Sequence, residues 1–163
     1  MQPPASFMDA YRPSLRGRRH MTSTGHYLAA QASFQVMEAG GNAIDGGVAA
    51  GIALGVVQSE LVGVAGVAPI IIYLAEEDRV VTISGLGIWP AATDPEFFAR
   101  EYPDAVPEGI LRCIVPAAPA AWIKALELYG SMTFGEVAAA AIRLARDGFA
   151  MYALMAELLG EKA

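Results

Sequence analysis

Residues 40–57 read GGNAIDGGVAAGIALGVV, and this stretch predicts how the chain starts to fold. Gly40 and Gly41 end a preceding helix, because glycine adopts the left-handed backbone that a helix C-terminus often needs. Asn42 is a favourable N-cap for a second helix, which we predict to extend to Val57. This second helix is small and apolar on all sides, a pattern typical of a buried helix.

Asp45 is the one charged residue in this apolar stretch, and it falls in the first turn of the predicted helix. A carboxylate at that position accepts backbone amide protons and interacts favourably with the helix dipole. We therefore interpret Asp45 as a structural residue. The alternative is an acid/base pair with Glu60, the next carboxylate along an otherwise apolar segment.

The flanking sequence predicts an α+β fold, with helices layered against a sheet. The segment 70–74 is continuously apolar, so we expect a strand that is covered on both faces. Thr133 and Glu136 form a capping-box pattern at the start of a helix. The predicted elements are a candidate short strand at 21–24, a helix at 26–39, strands at 69–75 and 79–84, a short helix from Asp94, and helices at 118–129, 133–146 and 151–159.

The composition excludes several classes of function. The 163 residues are 55% hydrophobic, yet the most apolar run, 43–57, is interrupted by Asp45 and is shorter than the roughly 20 residues of a membrane span. We therefore expect no membrane partner and a large interface with another chain instead. A net charge of −6 and a pI near 4.8 also argue against a nucleic-acid partner.

The first 20 residues differ from the rest, because they form a basic arm with arginines at positions 12, 16, 18 and 19. We assign 1–20 to this arm, either solvated or paired with acidic groups, and 21–163 to one unit that is incomplete alone. If Met1 is the natural start, the absence of a secretory signal predicts a cytoplasmic protein. The single Cys113 fits a reducing compartment.

The standard motifs for cofactors and metals are missing from the sequence. Two histidines and one cysteine cannot form a zinc site by themselves, and there is no P-loop or Gly-x-Ser-x-Gly elbow. The segment Gly85-Leu86-Gly87 lacks the third glycine of a dinucleotide-binding fingerprint. We expect no cofactor and no metal.

Five segments in a fixed order resemble the γ-glutamyltranspeptidase family, and together they cover roughly residues 18–150. The most specific is MEAGGNAIDGGVA at 37–49, which is close to the family pattern Gly-Gly-Asn-Ala-x-Asp-Ala-Ala-Val-Ala. The others are TSTGHYLA at 22–29, WPAAT at 89–93, VPA at 115–117 and AIRLARDGF at 141–149.

The resemblance implies a four-layer αββα sandwich of the Ntn-hydrolase type, of which this chain supplies only part. In that family a precursor cleaves itself and frees a threonine that is both nucleophile and, through its α-amine, base. Threonines 22, 24, 82, 93 and 133 are internal and match no such motif, so we expect no catalytic residue in this chain. The partner implied is a small-subunit chain that carries the threonine, in a hetero-oligomer acting on a small amide. The chain is then truncated, separately encoded or cleaved at an additional place.

One loop departs from the family pattern. In γ-glutamyl enzymes an arginine just before the Ala-Pro of this loop grips the substrate's α-carboxylate, whereas residues 84–90 read SGLGIWP. Leu86, or Ile88 in a shifted variant, stands at that position, and the nearest arginine, Arg79, begins the preceding strand. We therefore take Leu86, Ile88 and Trp89 as candidate substrate-binding residues that favour a neutral or apolar group.

A second departure is the segment 63–68, GVAGVA, where the family has a denser glycine run; this is a packing difference or a narrower substrate loop.

Three hypotheses remain. The chain belongs to an amidohydrolase with a substrate other than a γ-glutamyl amino acid, to a genuine γ-glutamyl enzyme that takes its arginine from elsewhere, or to a non-catalytic structural subunit.

Overall fold

A computed structural model describes residues 15–161, which form helices and one β-hairpin. The fold is α+β, as the sequence predicts, and each helix and strand after residue 25 lies close to its predicted position. The elements are α1 (Tyr27–Glu38), α2 (Ala43–Val57), β1 (Ile70–Leu74), β2 (Arg79–Ile83), α3 (Pro95–Glu101), a 3₁₀ turn (Ile110–Arg112), α4 (Ala118–Tyr129), α5 (Phe134–Asp147) and α6 (Ala153–Gly160).

Helices α1, α2, α4 and α5 share one hydrophobic core. Helix α2 lies at its centre and contacts the other three. Gly46 lets α1 and α2 approach closely, because a Cβ there would lie 2.9 Å from Met37 Cγ and 3.0 Å from Ser33 Oγ. The predicted N-cap at Asn42 and the predicted capping box at Thr133 are both present, and the structure shows that Asp45 completes a capping box with Asn42 as well.

The hairpin pairs β1 with β2 in antiparallel register, with Ile72 opposite Val81. Ile72 faces the helices and is buried, whereas Ile71 and Tyr73 point to the other face and are 78% and 59% exposed. The prediction that β1 is covered on both faces is therefore wrong for the described residues. The physical reason is that helices cover the sheet from one side only.

The candidate strand at 21–24 is not formed either. Among residues 15–161, the one sheet is formed by β1 and β2, and residues 21–24 lead into the N-terminus of α1 instead. There the Thr24 hydroxyl donates to the carbonyl oxygen of His26 at 2.7 Å. His26 in turn caps α1, since its Nδ1 accepts from the amide of Leu28.

The basic arm lies partly outside the described residues, which begin at Leu15. Within them, Arg19 and His20 both contact Glu38 at the end of α1, at 2.5 Å and 3.1 Å. This part of the arm therefore pairs with an acidic group. Among residues 15–161, no helix is both long enough and apolar enough to cross a membrane.

Candidate functional site

The loop of residues 84–90 leaves the end of β2 and is held by backbone hydrogen bonds on two sides. The amide of Ala68 donates to the carbonyl oxygen of Gly85, and the amide of Val115 donates to that of Ile88, both at 2.8 Å. Three separate segments, 63–68, 84–90 and 114–118, therefore meet at one place.

The two glycines of this loop are required by its backbone. Gly85 and Gly87 have φ angles of +53° and +76°, in the left-handed region that residues with a Cβ rarely adopt. A Cβ on Gly85 would also overlap the carbonyl oxygen of Ala68, and one on Gly87 would overlap that of Val115. The segment Gly85-Leu86-Gly87 is thus packed closely on the backbone of its neighbours.

The glycine-containing segment 63–68 caps the helix that follows the site. Helix α4 has no side-chain cap at its N-terminus. Instead, the carbonyl oxygen of Gly66 accepts from the amides of Ala117 and Ala118, at 3.3 and 3.2 Å. This contact fixes segment 63–68 against the start of α4 and satisfies donors that a helix N-terminus leaves free.

The candidate residues Leu86, Ile88 and Trp89 lie together on the loop, but their side chains differ in environment. Leu86 is 53% exposed and Ile88 74% exposed. Trp89 is 39% exposed and packs edge-to-face on Phe98 of α3, with ring centroids 5.0 Å apart. Trp89 and Phe98 also line a groove of about 430 Å³ that reaches the 3₁₀ turn. The three candidate residues therefore form an apolar surface, in which the Trp89 ring is held by its contact with Phe98 and the side chains of Leu86 and Ile88 are exposed.

The arginines that flank the loop in sequence are already bound to other groups. Arg79 pairs with Glu77 at 2.5 Å, and the hydrogen bond from its guanidinium to that carboxylate raises its pKa above the ordinary value. Arg79 is also the first residue of β2, so its backbone lies roughly 14 Å from the end of the strand where loop 84–90 begins, at about 3.4 Å per residue. Arg100 pairs with Glu101 at 2.8 Å. The third arginine that flanks the loop in sequence is Arg112.

Arg112 lies in the 3₁₀ turn, and its guanidinium donates to the carbonyl oxygen of Val106 at 2.7 Å. Each of these three arginines therefore donates part of its guanidinium to a group outside loop 84–90.

Asp45 is fully buried and fills a structural position, as we interpreted it from the sequence. Its carboxylate accepts from the amides of Asn42, Ser131 and Met132, at 2.8–3.2 Å, and from the Ser131 hydroxyl at 2.6 Å. These contacts join the start of α2 to the turn between α4 and α5. We call this arrangement the Asp45 latch. The sequence signalled the contact to Asn42, but not the one to Ser131, which lies 86 residues away.

The Gly-Gly-Asn-Ala-x-Asp pattern belongs to the same latch. The Asn42 side chain donates to the carbonyl oxygen of Tyr129 at 2.7 Å. A Cβ on Gly130 would lie only 2.8 Å from Asp45 Oδ1, so the turn has no room for a larger residue. The Asn42 and Asp45 side chains of the most specific motif therefore hold α2 to the turn between α4 and α5.

The acid/base alternative for Asp45 and Glu60 does not fit this geometry. Residues 45 and 57 span most of α2, roughly 18 Å at 1.5 Å per residue, and Glu60 follows the end of that helix. Glu60 instead accepts a hydrogen bond from the Tyr152 hydroxyl, which raises the pKa of that phenol. The two carboxylates thus serve separate contacts.

Comparison with known proteins now identifies the family. A sequence profile described as Gamma-glutamyltranspeptidase matches residues 29–163. Among curated relatives, the glutathione hydrolase proenzyme of Bacillus subtilis strain 168 is 28% identical over 98% of this chain. The acylase ACY 1 proenzyme of Pseudomonas sp. strain SE83 is 33% identical over 90% of it. This chain spans only 28% of the length of either relative.

The fold of this chain leads to the same family as its sequence does. The crystal structure of Helicobacter pylori γ-glutamyltranspeptidase superposes on 91% of this chain with a TM-score of 0.83 and 30% identity, and the matched part is 44% of that chain. This likeness confirms the predicted Ntn-hydrolase fold, of which the helices and hairpin described here are one part. On sequence and fold together, the chain belongs to the γ-glutamyltranspeptidase family of enzymes.

Proposed function

We propose that this chain is the N-terminal part of the large subunit of an amide-cleaving enzyme, and that the nucleophilic threonine lies on a partner chain. Two curated relatives are named proenzymes, and this chain spans 28% of their length. The threonines of this chain are internal, and one of them, Thr133, is engaged in capping α5. A nucleophile that uses its own α-amine as base must be freed as an N-terminus by cleavage, and no threonine of this chain matches the family motif for that cleavage.

The substrate of this enzyme, on our proposal, presents a neutral or apolar group to loop 84–90. The observation that carries the proposal is Leu86, half-exposed at the position where the family resemblance places a carboxylate-binding arginine. A substrate carboxylate facing this wall would lose its bidentate partner, and that loss weakens the binding of the substrate. The 33% identity to a protein named acylase supports cleavage of an acyl amide.

The second candidate is a γ-glutamyl hydrolase or transferase that draws its arginine from another part of the enzyme. The match to a protein named glutathione hydrolase, over 98% of this chain, favours it. A third candidate, a structural subunit without activity, predicts that no partner chain starts with threonine. The sequence of the partner chain's N-terminus therefore separates the third candidate from the other two.

The substrate proposal is tested by replacing Leu86 with Arg in the assembled enzyme. Wild type should cleave neutral amides and turn over γ-glutamyl-p-nitroanilide poorly. Leu86→Arg should raise kcat/KM for the γ-glutamyl substrate about ten- to thirtyfold, about 1.4–2 kcal/mol, because a guanidinium supplies two parallel hydrogen bonds and a full charge. A larger gain is not expected, since the surrounding residues do not position the new side chain.

The matched control is Leu86→Gln, which changes size and polarity without adding charge. It should leave the γ-glutamyl activity near the wild-type value. If the wild type already prefers the γ-glutamyl substrate, the second candidate replaces the first.

The location of the nucleophile is tested by intact-mass analysis after a covalent amidase inhibitor. The adduct should appear on the N-terminal threonine of the partner chain. An adduct on this chain, for example on Ser59 or Ser84, would contradict the proposal. The same proposal places this hetero-oligomer in the cytoplasm. The support is the single cysteine, Cys113, which is exposed and fits a reducing compartment. Cell fractionation tests this location.

A further inference from the structure

Helix α3 carries aromatic side chains that are not part of the helical core. Phe97 and Phe98 lie in the helix and Tyr102 directly follows it, and all three are only half-buried. Their ring centroids lie 5.4–6.3 Å apart, and the two pairs that include Phe97 meet edge to face. Aromatic pairs prefer such distances and orientations. The three rings therefore hold one another at the surface, outside the core that α1, α2, α4 and α5 share.

Trp89 joins these rings to the candidate substrate loop. It contacts Phe98 edge to face, and its own ring stays partly exposed. The loop that carries Trp89 is fixed on two sides by the backbone hydrogen bonds of Gly85 and Ile88, so the position of the ring is well defined. We use the name aromatic cluster for Trp89, Phe97, Phe98 and Tyr102. This cluster continues the apolar surface of loop 84–90 as far as α3.

The groove beside the aromatic cluster is large enough for a small-molecule group. It measures about 430 Å³, and it is lined by Trp89, Phe97 and Phe98 together with Ile110 and Leu111 of the 3₁₀ turn. Small-molecule sites are usually clefts of roughly 300–1,000 Å³, lined mainly by apolar and aromatic side chains. Ile110 is 84% exposed, so within the described part of the chain its side chain is open to a ligand.

The polar residues of the groove restrict the charge of what it can bind. Thr93, Asp94 and Cys113 also line it, and none of the described residues that line it is basic. Asp94 Oδ1 accepts from the amide of Glu96 at 2.9 Å, which holds this carboxylate at the start of α3. A carboxylate in the groove repels an acidic ligand. The groove therefore disfavours acidic groups, in agreement with the uncharged group that the proposed function brings to loop 84–90.

We infer that this groove binds an aryl group on the acyl part of the substrate, so that the enzyme cleaves arylacyl amides such as phenylacetyl amides. The inference rests on the proposed function and names its substrate class. In a γ-glutamyl amide the α-carboxylate belongs to the acyl part, and loop 84–90 stands where the family resemblance places the residue that grips this carboxylate. The groove that continues from the loop therefore receives the acyl part. Trp89 and Phe98 offer their rings to it, and each aromatic pair adds about two- to twelvefold to binding beyond the contribution of apolar area.

Hydrolysis of two matched amides tests the preference for an aryl group. Phenylacetamide and cyclohexylacetamide have the same carbon skeleton, but only the first has an aromatic ring. In each reaction water adds across the amide C–N bond, which gives the carboxylic acid and ammonia, and the ammonia is measured. The assembled enzyme should show a kcat/KM at least about threefold higher for phenylacetamide. An equal or lower value would overturn the inference.

Phe98→Leu tests the role of the ring that lines the groove, with Tyr102→Leu as its matched control. Both changes remove one ring from the aromatic cluster, but Phe98 lines the groove and Tyr102 does not. Phe98→Leu should lower the ratio of kcat/KM for phenylacetamide to that for cyclohexylacetamide at least about threefold, mainly through a higher KM for phenylacetamide. Tyr102→Leu should keep the wild-type ratio. An equal effect of both changes would show that the groove does not read the aryl group.

Cys113 reports occupancy of the groove without any need for activity. It lines the groove, is exposed and is the single cysteine of the chain. In the assembled wild-type enzyme, an excess of phenylacetamide should slow its alkylation by N-ethylmaleimide at least about fivefold, measured by the intact mass of this chain, whereas propanamide should not. The inference is wrong if phenylacetamide gives no protection. It is also wrong if Cys113 resists alkylation without any amide, because another segment then covers the groove.

The two kinds of measurement separate this inference from the proposed function. Protection of Cys113 by phenylacetamide in an enzyme that cleaves no amide would refute the proposed function but not the aryl site. Cleavage of neutral amides with no aryl preference and no protection of Cys113 would refute only the aryl site.

Discussion

Replacement of Asp45 by alanine should destabilise the enzyme severely, because the carboxylate serves four donors at a site closed to water. The Ser131 hydroxyl can turn to another acceptor, but the amides of Asn42, Ser131 and Met132 cannot. A stranded buried donor costs about 1–3 kcal/mol; at about 1–2 kcal/mol each, the three amides cost about 3–6 kcal/mol. Relief of the buried charge returns part of this, which leaves about 3–5 kcal/mol.

That loss is a large share of the 5–15 kcal/mol that ordinarily stabilises a domain. The assay is the thermal midpoint and soluble yield of the assembled enzyme carrying Asp45→Ala. The matched control is Asp94→Ala, since Asp94 also accepts at a helix N-terminus but is exposed and receives one amide, that of Glu96 at 2.9 Å. Loss of such a cap costs about 0.5–2 kcal/mol.

Two results would refute this reasoning. If Asp45→Ala lowers the midpoint no more than Asp94→Ala, the latch contributes little to stability. If Asp45→Ala is as stable as wild type but inactive, Asp45 acts in catalysis and the acid/base interpretation returns. Ser131→Ala, which removes only the hydroxyl contact, should lie between wild type and Asp45→Ala.

Three further predictions concern other parts of the chain. Expressed without a partner, the chain should bind hydrophobic dyes or aggregate, because one face of the hairpin is open and apolar; a monodisperse monomer with a cooperative melt would contradict this. Gly85→Ala should displace the site loop and reduce kcat/KM at least about tenfold. Gly109→Ala is also strained by its positive φ, but no atom lies within 4 Å of the added Cβ, so it should reduce kcat/KM less than Gly85→Ala does. The pKa of Glu136 lies below its ordinary value because the hydroxyl and amide of Thr133 donate to its carboxylate. Its stabilising contribution is therefore complete above the unfolded-state pKa and is lost as the pH falls through the folded-state pKa. Glu136→Gln should make the thermal midpoint depend less on pH between pH 6 and pH 3, and an unchanged pH profile would show that another group controls the midpoint.

The sequence by itself determined the local elements and the family. Helix limits followed from residues that act on their own neighbours, such as Asn42 capping the amides of Ile44 and Asp45, and Thr133 with Glu136. The hairpin followed from two apolar runs around a polar turn, and the family from an ordered set of motifs. These signals are readable because their physical causes act over a few residues.

Tertiary structure alone decided which residues meet across the chain. It brought Ser131 to Asp45, set Trp89 against α3, and left one face of β1 open. The continuous apolar run at 70–74 predicted burial on both faces, because apolar side chains are usually buried. Their hydrophobicity does not show which segment of the enzyme buries them. Long-range contacts depend on how whole helices and strands pack. The sequence of a strand shows which of its two faces is apolar, but it does not show which segment packs on that face.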